Sequence, residues 1–317
     1  MVDLTRRGFI CTTLGAAALS AVPKRALARA PRVRTIAGTG IAGYEPEGRA
    51  GLPGITTPVN NPYGIVLGPD GALYFCEVDT GRTRRFDIDS GRLTTVAGTG
   101  EAGFSGDGGA ATAAQFRQPH SIAFDDRGGL LVCDIGNGRL RRIDMSDGTV
   151  VTLSGTGERT PTPDEGPLAG TALRGPRSID TDAEGNAYLV LREGNAVFRL
   201  NLRAGRLQRI AGTGETGYTG DGGPAALATF NGPKGIAYSS ADRSLYIVDT
   251  ENHVIRRMSL ESGLIETVLG TGERGDGPDG DPLECRLARP HGICVHQGVV
   301  YVTDSESHRV RALEDIV

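Results

Sequence analysis

The chain of 317 residues holds no Trp, three Met, five His and five Cys, and no C-x-x-C pair. That last absence removes zinc knuckles and thioredoxin-type redox sites. No G-x-S-x-G elbow, phosphate loop or dinucleotide fingerprint lies in a strand–helix context, which removes the commonest hydrolase and kinase readings. Positive charge is also short. Lys and Arg total 34 against 38 Asp and Glu, and the formal charge of −4 is the wrong sign for a nucleic-acid partner. The apolar stretch Phe9–Val22 is shorter than the ~20 residues of a membrane span. Glycine is what the chain has in excess, 48 residues, about double the usual ~7%. No G-x-y period accompanies it, so collagen is excluded. An apolar content of 38% with balanced charge excludes disorder. A turn-rich, all-β globular protein remains.

Thr5-Arg6-Arg7-Gly8-Phe9-Ile10, followed by that apolar stretch, resembles a twin-arginine (Tat) export signal. Ala26-Leu27-Ala28 and Ala28-Arg29-Ala30 offer cleavage sites, and Cys11 sits too early in the stretch for a lipid anchor. Residues 1–30 are therefore expected to be removed and the protein to be periplasmic or secreted. Their loss takes five Lys/Arg and one Asp, leaving 29 − 37 = −8. The Tat route carries folded proteins, often with a cofactor already loaded, so a divalent metal, zinc first, is an expected cofactor. Cys76 and Cys133 fall in apolar strand patterns and read as small buried hydrophobes. Cys285 and Cys294 have the opportunity to pair in an oxidising compartment.

Internal repetition decides the fold. Pro62, Pro119, Pro176, Pro233 and Pro290 are spaced by 57 residues, and each opens the same pattern, as in Pro119-His120-Ser121-Ile122. Three further strand patterns follow, separated by Gly/Asp turns, and the fourth ends in Gly-Thr-Gly at Gly98, Gly155, Gly212 and Gly270. Four short antiparallel strands per repeat describe one blade of a β-propeller. The last repeat stops after its third strand, while Val33-Arg34-Thr35-Ile36-Ala37-Gly38-Thr39-Gly40 matches Leu93–Gly100. The expectation is a single five-bladed domain over residues 31–317, closed by an N-terminal strand that completes the C-terminal blade and removes the free sheet edges. Tyr246-Ile247-Val248-Asp249-Thr250-Glu251-Asn252-His253-Val254-Ile255-Arg256 resembles the NHL repeat, as does Val132–Arg141. That resemblance implies a propeller serving either as an enzyme or as a binding platform. The third repeat departs from the pattern, with Leu191-Arg192 where the others place an acidic residue.

The residue after each repeat proline is expected at the channel mouth, once per blade: Tyr63, His120, Arg177, Lys234 and His291. His291, Tyr63 and His120 then share one arc, and Arg177 and Lys234 oppose them. The cations suit an anionic group, a carboxylate above all. The histidines suit proton transfer or metal ligation, and Tyr63 acid–base work. Pro-His-(Ser/Gly)-hydrophobic also resembles the peptidyl-hydroxyglycine amidating lyase branch of NHL propellers. There, histidines from three blades hold zinc, with Arg and Tyr assisting; here His120 and His291 match and a third is absent. His253 and His308 are expected in solvated top loops and His296 on the opposite face. Glu77, Asp134, Asp249 and Asp304 end second strands and suit capping or pairing with repeated arginines. Arg84-Arg85, Arg141-Arg142 and Arg256-Arg257 suit ion pairs between blades, and the Gly-Asp-Gly-Gly links suit turns.

Two functions follow. One is an exported, monomeric lyase or hydrolase acting on a small anionic molecule at the top of the channel, with catalytic His120, His291 and Tyr63, substrate-binding Arg177 and Lys234, and a metal on His120 and His291. The other is a non-catalytic platform that binds a protein or glycan outside the cytoplasm through the Phe104 and Tyr218 loops.

Overall fold

The computed structural model describes residues 34–48 and 50–314; the expected export signal lies outside them. From Thr35 onward the described residues form one compact unit. It is an all-β propeller of five blades. The first strands Pro62–Leu67, Pro119–Phe124, Pro176–Thr181, Gly235–Ser239 and Pro290–His296 line the channel. Each pairs with a second strand: Leu73–Glu77, Leu130–Asp134, Asn186–Leu191, Ser244–Asp249 and Val299–Asp304. A third strand follows outward in every blade and a fourth in blades one to four, antiparallel throughout, and short extra strands, Leu52–Pro53 and Glu165–Pro167, edge blades one and three.

A sheet sandwiched between two others must be apolar on both faces. Leu130-Leu131-Val132-Cys133 obeys that rule and is wholly buried. Its residues divide between two cores: Leu130 and Val132 pack with Tyr74 and Cys76 of blade one, while Leu131 and Cys133 pack with Leu189 and Leu191 of blade three. The same arrangement joins blades three to four and four to five. Cys76 and Cys133 are buried as expected, and burial pushes the Cys76 thiol up to about 12. Cys285 and Cys294 are both free thiols: Cys285 packs in the core between blades four and five, whereas Cys294 faces the channel. The pairing open to them in the sequence is not made.

The closing strand is where the structure departs from expectation. Val33 lies outside the described residues, and the described part of its segment, through Gly40, is in no strand. Among the described residues the fifth blade has three strands, ending at Arg309–Leu313. In the other blades the first Gly of Gly-Thr-Gly packs on the third strand of its own blade, as a β-carbon on Gly98 would meet the Gly81 carbonyl. Gly38 instead faces Val59, although its N–H donates to Gly54 O at 3.0 Å just as Gly98 N–H donates to Ala111 O at 2.9 Å. Ile36 packs with Phe75, Phe86 and Leu93, so apolar burial on blade one holds the segment. The flank of blade one that faces away from blade two is correspondingly open. Ile65 and Leu67 are 67% and 59% exposed, whereas Ile122, Ile179 and Ile236, which match Ile65, are 4–5% exposed.

Candidate functional site

Two devices aim the five ring residues. The first is a backbone kink. The residue before each repeat proline has positive φ: Asn61 (44°), Gln118 (53°), Gly175 (73°), Gly232 (56°) and Arg289 (47°). For the three non-glycine residues that conformation is sparsely populated and persists only where surroundings enforce it, a pattern that concentrates at functional sites. The second device does the enforcing. Each buried acid at a second-strand end accepts the backbone N–H two residues before the proline: Asn60 to Glu77 (3.2 Å), Arg117 to Asp134 (2.7 Å), Asn231 to Asp249 (2.8 Å) and Ala288 to Asp304 (2.7 Å). In blade three, where Leu191 replaces the acid, Arg174 N donates to Thr162 Oγ1 instead, at 3.0 Å. Register shifts after Pro119, Pro176 and Pro290, and beside Tyr63, bulge the strand where the ring residue sits, as β-bulges beside sites do.

All five ring residues line one channel cavity of about 660 Å³. Tyr63 and His120 meet edge to face, ring centroids 4.3 Å apart. His291 Nδ1 lies 2.8 Å from Arg289 O and its Nε2 3.3 Å from Lys234 Nζ. A carbonyl can only accept, so Nδ1 carries the proton and Nε2 accepts from the ammonium. Lys234 Nζ also donates to Glu251 Oε1 at 3.0 Å. Arg289 grips Glu251 through two bonds of 2.7 and 2.9 Å and reaches Glu306 at 2.9 Å. Arg289 donates by its backbone N–H to His253 Nδ1 at 3.1 Å, so His253 is half-buried and bonded rather than solvated. His308 and His296 are exposed, as expected.

Charge is distributed unevenly. Arg177 makes no hydrogen bond or ion pair among the described residues, while two of the three Lys234 ammonium donors are taken by Glu251 and His291. Burial, then Arg177, pushes the His120 pKa down to about 3, and burial, then Lys234, lowers that of His291. Both rings are neutral near pH 7. Burial also lowers the Lys234 pKa, opposed by Glu251. The Arg289 hydrogen bonds hold Glu251 at about 2. A zinc site on His120 and His291 does not fit this donor set, since both His291 nitrogens already have partners. Among the described residues no three His, Cys, Asp or Glu side chains group as metal ligands.

The remaining residues that recur from blade to blade serve structure. Arg84, Arg141 and Arg256 are fully buried. Arg141 bonds Asp107 (2.6 Å) and the carbonyls of Ser105 and Gln115; Arg256 pairs with Asp221 at 2.7 Å. The aspartate of each Gly-Asp-Gly-Gly link is thus a counter-ion, more than a turn residue. Phe104 and Phe116 stack on Arg141, and Tyr218 and Phe230 on Arg256. The second arginines pair with turn acids, Arg85 with Asp70, Arg142 with Asp125 and Arg257 with Asp242.

The NHL repeat model matches residues 116–143 and 287–313. Two stretches of the chain match that repeat. Each matched NHL stretch covers three strands of a blade and contributes one ring histidine, His120 or His291. Human NHL repeat-containing protein 2 is 27% identical over 267 residues, covering 75% of this chain and 36% of its own length. Protein SUPPRESSOR OF QUENCHING 1, chloroplastic, of Arabidopsis thaliana is 27% identical over 237 residues, 71% of this chain and 22% of its own length. The chain therefore spans well under half of these relatives. Among solved structures, an auxiliary nutrient binding protein from Bacteroides ovatus superposes with a TM-score of 0.60 at 17% identity, covering 79% of this chain and 58% of that one. A catalytically inactive virginiamycin B lyase from Staphylococcus aureus, with quinupristin, gives 0.53 at 20% identity, covering 82% and 68%. These two likenesses show the fold, on which a lyase and a binding protein both stand.

Proposed function

We propose that the channel mouth binds a small anionic molecule, a carboxylate above all, and moves a proton on it as a lyase or hydrolase does, in a protein exported by the twin-arginine route. The unpartnered, half-buried Arg177 carries this reading. A guanidinium in a cavity, with two neutral histidines and a desolvated lysine beside it, is a site short of one negative charge. An anion on Arg177 supplies it. Neutralising Arg177 also removes the main charge that depresses His120, so binding raises the basicity of His120 and prepares it to accept a proton. Lys234, already donating to His291, supplies the acid. No step in this scheme needs a metal.

Screening the matured protein against small carboxylate esters, lactones and hydroxy acids tests the reading. Hydrolysis is followed by pH-stat and elimination by the ultraviolet absorbance of a new conjugated double bond. Turnover is expected to vanish in both His120→Asn and His291→Asn while their melting temperatures hold. Turnover retained in both variants overturns it. The platform reading would place a protein or glycan on the Phe104 and Tyr218 loops; it predicts silent ring substitutions and weakened capture by Phe104→Ala and Tyr218→Ala.

A further inference from the structure

Arg192 is the feature of the third repeat that the proposed site does not use. It occupies the position after Leu191, where the chain turns from the second to the third strand of blade three. Pro176 pairs with Leu191 in the sheet, and Arg192 N donates to Gly175 O at 2.8 Å. Arg192 therefore stands directly over the Gly175-Pro176-Arg177 segment that enters the channel. Its guanidinium makes one side-chain contact among the described residues, Nη1 to Glu193 Oε1 at 3.0 Å, with the two side chains 43% and 47% exposed. The Glu193 carboxylate in turn lies over Gly175, where a β-carbon would fall 1.4 Å from Oε2. An exposed pair of neighbouring residues holds weakly, so Arg192 is an available cation. Its charge is felt at Arg177, His120 and Lys234.

We propose that Arg177 and Arg192 together form a two-guanidinium clamp that selects ligands with two carboxylates, one held in the channel and the other at its rim. This rests on the anion site proposed above and names its substrate class. Blade three can place a cation here because it does not use its second-strand end as an acidic clamp. In the other blades the matching turns begin from Glu77, Asp134, Asp249 or Asp304, and a guanidinium beside such an acid would be drawn to it. Glu193 acts as an internal stand-in for the second carboxylate and must yield when a ligand binds. Within the clamp the two arginines divide the work. Arg177 is enclosed and sets whether an anion binds at all; Arg192 is exposed and sets the preference for a second charge.

Calorimetric titration of the matured protein with acetate, succinate and glutarate at low salt, for wild type, Arg192→Gln, Glu193→Gln and Arg177→Gln, tests this. The clamp predicts that a dicarboxylate binds wild type about tenfold more tightly than acetate, and that Arg192→Gln erases that advantage, weakening the dicarboxylate far more than acetate. Glu193→Gln is expected to tighten the dicarboxylate a few-fold, because the competing carboxylate is gone. Arg177→Gln should weaken all three ligands. If acetate and dicarboxylates bind equally, or Arg192→Gln changes neither, the clamp is overturned and the anion site stands. If no carboxylate binds wild type, both readings fall.

Discussion

Blades two and three share a repeat length and an opening proline, yet they fill two of three matching positions with opposite chemistry and put the third, an aspartate in both, to different use. Blade two has Asp134, Arg141 and Asp107; 57 residues on, blade three has Leu191, Phe198 and Asp164. Asp134, Arg141, Leu191 and Phe198 are all fully or almost fully buried. Asp164 turns outward and grips Arg209 through two bonds of 2.7 Å, since no buried arginine calls for it. The lesson is that the buried acid and the buried arginine change together, and the link aspartate takes whichever partner remains. A buried guanidinium with its acid and stacked rings fills the space as well as Leu against Phe does, but half of either set leaves an uncompensated charge.

The harshest way to break this comparison is Phe198→Arg, which buries a guanidinium beside Leu191. A loss on the order of 5 kcal/mol, or failure to accumulate as folded protein, is expected in urea unfolding. A mild effect would mean that Asp164 can swing inward as a counter-ion. Next comes Arg141→Met in blade two, which removes the buried partner of Asp107 and of the Ser105 and Gln115 carbonyls, together with the positive charge that offsets buried Asp134, and should cost about 3 kcal/mol, read as a lower urea midpoint at unchanged slope. Adding Asp134→Leu to Arg141→Phe, to copy blade three, should then cost less than the two single changes summed, by about 1–3 kcal/mol in a double-mutant cycle. Strict additivity would show that the positions are independent and the comparison accidental.

The smallest effect sharpens the link between the two blades. Arg177 of blade three helps depress His120 of blade two, whose folded pKa of about 3 lies below its unfolded value near ~6.5. The unfolded chain therefore binds more protons between those limits, and stability falls as pH drops from ~6.5 toward 3. Arg177→Gln should flatten that slope and raise the His120 titration midpoint seen by NMR. An unmoved midpoint would leave burial alone as the cause.

Much of this was legible in the sequence. The proline spacing yields the blades and places Tyr63, His120, Arg177, Lys234 and His291 on one cavity, because a strict period fixes register and hence direction. What escaped concerns neighbours that no local pattern names. Arg84, Arg141 and Arg256 read as strand residues of alternating exposure, but a blade is covered on both faces, so alternation there does not mean solvent. The links read as turns because their aspartates find partners more than 30 residues away. Arg289 was invisible for a different reason: nothing in Arg289-Pro290-His291 announces that its carbonyl fixes the His291 tautomer while its guanidinium locks Glu251. Val33–Gly40 resembles a fourth strand, yet resemblance alone does not say that its described part packs on blade one outside any strand.

The uncovered flank at Ile65 bears on how the protein comes apart. Five blades in a complete circle share five interfaces and have no ends, so loosening any one blade disturbs two neighbours at once. With blade one open on that side among the described residues, blades one and five are each braced by one neighbour there, and stability moves toward a sum of unit and neighbour contributions, as in a linear repeat protein. Fraying then begins at the ends and runs inward. Amide hydrogen exchange should register this as a gradient, slowest in blade three and fastest in blades one and five. The channel mouth lies across that gradient: Tyr63 and His291 sit on the blades that open first, and Arg177 on the one that opens last.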